Sequence, residues 1–358
     1  MNALTIIILI FSVLGGIDYI TGSRFGLGKE FERGFRLLGT FVLSMVGMIV
    51  IAPLIATVLR PFFDVVYSAL HIDPSIVPAS LFANDMGGAS LAAEVAKDSK
   101  IGLFNALVVS SMMGCTVSFT IPFALGTVKK DQHRILLLGL LAGIVTIPIG
   151  CFASGIMCKI PIGELLKDLL PLIVFSGIIA FGLFKFPDTC VKIFGVFAGF
   201  IRIILAVGLV FGIVNFLCKQ EIIPGIDKIE NAAFTCFNIA VVMSGTFPMM
   251  YVVTKLLKKP LDIFGEKIGI NSTAAVGFLA SLVTSVTTFG TMEEMDDKGA
   301  MMNSAFAVSA AFMFAAHLAY TMTFDSSMIP AVMTGKAISG VTAVVLAFFL
   351  YKKSEKVS

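Results

Sequence analysis

The chain has 358 residues, 57% of them hydrophobic and 14% charged, with a formal net charge of +3. Together with a mean hydropathy of +0.98, this composition excludes a water-soluble enzyme or binding domain, because too few polar side chains remain to cover a soluble surface. The small basic excess forms no stripe with interleaved aromatics, so nucleic acid is excluded as a partner and the lipid bilayer is implied.

A helix that crosses a bilayer needs about 20 mainly apolar residues. Such runs lie at 3–20, 36–58, 102–127, 135–157, 169–186, 193–217, 233–254, 301–323 and 330–351, nine expected spans. The first lacks a basic leader and a small-residue cleavage site, so it reads as a retained helix. Two further stretches, 74–97 and 271–294, are as long but richer in Ser, Thr, Asn, Gly and acid. The connections, of which 21–36 is the longest charged one, are too short for a soluble domain. Cys115, Cys151, Cys158, Cys190, Cys218 and Cys236 form no C-x-x-C pair and are expected as buried small hydrophobes, not as disulfides or metal ligands. Gly139-x-x-x-Gly143 and Gly195-x-x-x-Gly199 read as notches for helix packing.

The chain also matches itself. Gly47 and Gly245 stand 198 apart, Pro61 and Pro260 199, Asn105 and Asn303 198, Ser110 and Ser309 199, and Gly143 and Gly340 197. An offset this constant predicts a duplication. If both polar stretches enter and leave the membrane on one side, Lys and Arg divide seventeen to seven between the two faces, with Arg202 and Lys336 left inside helices. The richer face is cytoplasmic by the positive-inside rule, which puts the N-terminus outside and the C-terminus inside. An odd number of crossings separates the matching helices, so the repeats are inverted, an architecture of secondary transporters. The expected fold is an all-α integral membrane protein of about nine transmembrane helices plus two re-entrant helical hairpins, arranged as two inverted-topology repeats. Its divisions are a first helix and basic loop (1–33), repeat 1 (34–158), two linking helices (159–231), repeat 2 (232–351) and a cytoplasmic tail (352–358).

The polar stretches carry the candidate site. In one continuous helix Asp85 and Glu94, nine residues apart, would turn about 900° from one another at ~100° per residue and lie on opposite faces. One acid would then face lipid, at a cost of about 2.5 kcal/mol or more at mid-bilayer. The chain is therefore expected to break at Met86-Gly87-Gly88, giving a hairpin with Asn84 and Asp85 at its tip and Glu94 on its returning arm. The second tip offers the hydroxyls of Thr287 and Thr288 and the ring of Phe289, with Glu293 beyond. Asn105, Ser110, Asn303 and Ser309 lie on the helices that follow and can complete the site from behind. An acidic tip opposite a hydroxyl-rich tip suits a small polar cation. His317 is a proton-sensitive candidate, also readable as a satisfied core histidine. No H-E-x-x-H, Walker A, G-x-S-x-G or zinc-spaced cluster supports catalysis or ATP-driven transport, and no resident metal or cofactor is expected, with bound sodium left open.

The segments "NDMGG" (84–88), "SSMMG" (110–114), "IPFALG" (121–126), "LAGIVTIPIGC" (141–151), "EIIPGID" (221–227), "FGTMEEMD" (289–296) and "NSAFAVSAAF" (303–312) resemble the ethanolamine permease (EutH) family of bacterial ethanolamine-utilisation operons. The resemblance implies uptake of ethanolamine across the cytoplasmic membrane, chiefly when the amine is protonated and cannot leak through lipid. The residues alone reach a secondary transporter for a small polar cation, working by alternating access. Proton- or sodium-coupled symport of another small polar solute is the alternative, and a membrane-embedded enzyme using Glu94, Glu293 and His317 a remote one. A homo-oligomer is compatible with the sequence but not readable from it.

Overall fold

The computed structural model describes residues 3–355, and every regular element among them is helical. Lys356 and the end of the expected tail lie outside the described residues. In hydrocarbon each backbone N–H and C=O must be paired inside the protein, which leaves helices as the economical spanning element. Seven helical runs are long and apolar enough to cross a bilayer: Leu27–Leu70, Ser99–Thr127, Lys130–Met157, Ile162–Lys185, Asp188–Cys218, Ile229–Ile268 and Ala316–Lys352, with Leu4–Ile20 and Ser272–Val283 as shorter apolar helices.

α1 (Ala3–Ile20) and α2 (Leu27–Arg36) lead through α3 (Leu38–Phe41) and a π-helical turn into α4 (Gly47–Leu70). The first polar stretch is a pair of short helices, α5 (Ile76–Leu81) and α6 (Gly88–Val95). α7 (Ser99–Phe104) continues into two π-helical segments, Asn105–Gly114 and Thr116–Thr120, before α8 (Ile121–Thr127). Four long helices follow: α9 (His133–Met157), α10 (Ile162–Lys185), α11 (Pro187–Cys218) and α12 (Ile229–Ile268). The second polar stretch is again a broken pair, α13 (Ser272–Val283) and α14 (Ser285–Gly290). α15 (Asp297–Ala310), α16 (Ala316–Asp325) and α17 (Ile329–Glu355) complete the chain.

Three expectations change. The run 301–323 is not one helix: it unwinds between Ala310 and Ala316, where Phe312 takes φ 61°, a strained left-handed conformation for an aromatic residue. α10 begins at Ile162, seven residues before the expected span at 169, and so draws Glu164, Lys167 and Asp168 into a helix. The two glycine notches also part company. A Cβ on Gly139 would lie 2.4 Å from the Met301 carbonyl oxygen, so α9 needs it to approach α15, whereas Gly195 and Gly199 have nothing within 4 Å to receive a neighbour.

Both broken pairs are pinned at their bases by hydrogen bonds at positions 198 apart. Asp98 caps α7, accepting from the Lys100 and Ile101 N–H groups, and Asp296 caps α15, accepting from Gly299. Asp73 accepts from the Lys97 and Asp98 N–H groups at 2.9 and 2.8 Å. Its counterpart Asn271 donates its own N–H to Asp296 at 2.7 Å and its amide nitrogen to the Glu294 carbonyl at 2.8 Å.

The first pair presses its backbone directly against the π-helical segment. A Cβ on Gly114 would stand 2.0 Å from the Phe82 carbonyl oxygen and 2.5 Å from that of Ala79. Both obstacles are backbone and neither can swing aside. Gly114→Ala is therefore expected to destabilise the fold by roughly 1–3 kcal/mol or more, read as a lower thermal midpoint in detergent than that of the wild type.

Candidate functional site

The site grows from the first break. After α5 the chain runs extended through Phe82 and Ala83, turns through a 3-10 segment Asn84–Met86, and passes Gly87 at φ 88° before α6 resumes. That φ belongs to glycine, because a Cβ would strain it. The freed backbone groups find partners: the Ala83 N–H donates to Ser118 Oγ at 3.1 Å, and the Gly88 N–H returns to the Ala83 carbonyl at 2.8 Å. The turn carries Asn84 and Asp85 between α5 and α6. Asn84 is fully buried with neither amide atom hydrogen-bonded, and the Asp85 side chain keeps 18% exposure.

Two buried bases join Asp85. His317 comes from α16, just past the unwound turn, with Nε2 3.7 Å from Asp85 Oδ1 and Nδ1 unpartnered. That separation exceeds a hydrogen bond, so the imidazole stands beside the carboxylate without closing on it. Lys336, fully buried on α17, donates from Nζ to the Ser111 carbonyl at 2.7 Å and does not close on Asp85 as an ion pair. Tyr320, also on α16, shares a hydrogen bond of 3.2 Å with Ser90 on α6. The Phe312 ring packs 5.2 Å from the imidazole and 5.6 Å from Phe119, which ties the strained turn to the histidine.

Sequence reasoning counted Lys336 only as a charge inside a helix. A lysine in the middle of "VMTGKAISG" has no partner nearby in sequence, and an ionisable group inside a membrane is itself the available signal of a functional site. His317 is not the satisfied core histidine of the bland reading.

The other expected residues disperse. Asn105 turns to Ser75 and Asp168, while Asn303 donates to the Ala274 and Gly299 carbonyls. Ser110 binds the Ala106 carbonyl, and Ser309 pairs with Ser339 at 2.6 Å. At the second break Thr288 bonds Ser281 at 2.8 Å and Phe289 is buried against Phe123, but Thr287 is exposed in a groove with Glu30 and Arg33. The second tip reaches the cluster through the unwound turn: the Phe312 and Phe314 N–H groups donate to the Ser281 and Leu282 carbonyls at 3.1 and 2.9 Å. Glu94 and Glu293 are exposed. Glu94 shares a peripheral groove with Arg60, Asp64 and Lys97, and Glu293 pairs with Lys129, whose ammonium it holds above its usual range by hydrogen bond and charge.

This architecture is that of a multi-pass helical membrane protein whose broken helices surround a buried, mixed-charge cluster. Residues 1–350 match the family described as "Ethanolamine utilisation protein, EutH", and the chain belongs to that family. It is 40% identical to the "Probable ethanolamine permease EutH" of Listeria monocytogenes, over 98% of this chain and 94% of the relative. It is 37% identical to the protein of the same name from Salmonella typhimurium, covering 92% and 87% of the two chains. The "Uncharacterized protein YxeR" of Bacillus subtilis is 36% identical over 98% and 94%. No solved structure matches the chain.

If Asp85 and Lys336 compensate one another, removing either strands a charge in the core. Lys336→Gln and Asp85→Asn are each expected to cost about 3–5 kcal/mol. The double variant should cost clearly less than their sum, measured as a double-mutant cycle of unfolding in detergent.

Proposed function

We propose that this chain is a permease that takes up ethanolamine by alternating access, as facilitated diffusion of the protonated amine through the Asp85 cluster. The observation that carries the reading is a largely enclosed carboxylate at the first break beside an imidazole that does not close on it, with a fully buried lysine on α17 bonded to the Ser111 carbonyl. A primary amine is mostly charged at neutral pH, and its ammonium has the chemistry of the Lys336 head group. The substrate can therefore replace Lys336 as the counter-charge of Asp85. Its hydroxyl fits the unpartnered amide of Asn84, which can donate to it or accept from it. When the solute leaves, Lys336 again compensates the carboxylate, so the empty carrier can return without a bare charge in its core. The relatives named probable ethanolamine permease support the choice of amine.

In the motion we infer, the pairs α5–α6 and α13–α14 act as re-entrant hairpins that move with their following helices against a scaffold including α4 and α12. The base hydrogen bonds spaced 198 apart support a duplication, which we read as two inverted repeats with the expected divisions. The membrane is the bacterial cytoplasmic membrane, with the N-terminus outside and the C-terminus inside.

Uptake of radiolabelled ethanolamine by cells expressing equal amounts of each variant tests the assignment. Asp85→Asn is expected to lower uptake of the charged amine about 100-fold, the equivalent of ~3 kcal/mol. Glu94→Gln and Glu293→Gln, altered at exposed positions outside the cluster, should stay near wild type. Full uptake by a membrane-inserted Asp85→Asn variant contradicts the role of Asp85.

A further inference from the structure

A second buried carboxylate stands outside the Asp85 cluster. Asp168 on α10 is 3% exposed. Its Oδ1 accepts one hydrogen bond, 3.0 Å from Asn105 Nδ2, and its Oδ2 has no partner. The same amide nitrogen donates to Ser75 Oγ at 3.0 Å, which leaves Asn105 Oδ1 bare as well. Asn105 and Ser75 are fully buried. No Lys or Arg ion pair reaches Asp168 among the described residues.

The neighbouring groups deepen the deficit. Asp73, 8% exposed, brings a further acid and is already engaged by the N–H groups of Ser75, Lys97 and Asp98. Cys151 on α9 also faces Asp168 electrostatically and brings no positive charge. Two bare acceptors, one of them anionic, and a hydroxyl thus belong to one buried hydrogen-bonded triad whose donor is a single amide nitrogen. A carboxylate in such surroundings calls for compensation by something positive, and oxygen-only donors suit a hard cation.

We propose that Asp168, Asn105 and Ser75 form a buried site for a small monovalent cation, Na+ or H+, that fastens the base of the α5–α6 pair to α10. Ser75 precedes α5, Asn105 opens the π-helical segment and Asp168 belongs to a long helix, so the ion joins the hairpin to the surrounding bundle. With the site filled, the base of the hairpin is neutral and held. With it empty, two acidic groups and a bare amide oxygen face one another and the base loosens. If the hairpin moves during transport, as the permease reading holds, the ion makes that movement sensitive to the cation's concentration.

The test uses the purified full-length chain in detergent with no amine present, so its failure is separable from failure of the substrate assignment. Thermal midpoints are measured for the wild type and Asp168→Asn in NaCl against KCl at equal ionic strength, and across pH. If Na+ occupies the site, NaCl raises the wild-type midpoint saturably and Asp168→Asn does not respond. If H+ occupies it, the wild-type midpoint falls as pH rises, because deprotonation leaves an uncompensated carboxylate in the core, and Asp168→Asn lacks that fall. Should Asp168→Asn not fold, Ser75→Ala removes one ligand only. It is expected to shift the half-effect concentration of Na+ or H+ by about tenfold. Superimposable Na+ and pH responses of wild type and Asp168→Asn, or of wild type and Ser75→Ala where that variant stands in, overturn the proposal.

Discussion

A carboxylate inside a membrane protein must be given a counter-charge, and the architecture around Asp85 follows from that requirement. Lys336 is buried on α17 with its ammonium on the Ser111 carbonyl, and His317, on α16, stands 3.7 Å from Asp85. Each partner comes from an element that departs from a plain spanning helix or packs against one. Asp85 needs the break at Gly87, Ser111 lies in the π-helical segment, and His317 follows the unwound turn at Phe312. Helix irregularities of these kinds concentrate at functional sites, where their strain is held by the surrounding packing.

Those irregularities have to be satisfied internally, because lipid supplies no hydrogen bonds. Ser118 receives the Ala83 N–H at the first break, and the Ser281 and Leu282 carbonyls at the second break receive the Phe312 and Phe314 N–H groups. Each break is thus tied by hydrogen bonds to another irregular segment, the first to the π-helical Thr116–Thr120 and the second to the turn that precedes His317. Gly114 lets the π-helical backbone approach the Phe82 carbonyl closely enough for this packing. The same dense packing leaves Asp85 more open than Lys336 and His317, which are fully buried.

Much of this was legible in the sequence, and the reasons differ by residue. Composition alone gave the membrane class, and the paired glycines at 87 and 88 beside Asp85 gave the first break. The second broken stretch was legible from its polarity. The turn between Ala310 and Ala316 was not, because "AFMFAAH" contains no Gly or Pro and its unwinding is imposed by contacts with Ser281 and Leu282. Lys336 and Asp168 were missed for one physical reason: each is compensated, or left uncompensated, by groups far away in the chain. Charge near the start of α10 also made Asp168 look like part of a connection, whereas the helix includes it. Asn105 is expected from the sequence to complete the site behind the first tip, whereas its hydrogen bonds go to Ser75 and Asp168 and not to the Asp85 tip.

The central claim is that the Asp85 cluster passes a protonated amine, and proteoliposomes containing only this protein test it most directly. Uptake of radiolabelled ethanolamine would be followed with no ion gradient and then with imposed sodium or proton gradients, in vesicles whose protein is shown to be folded. The account predicts saturable uptake that equilibrates without any gradient. No uptake under any of these conditions would contradict it.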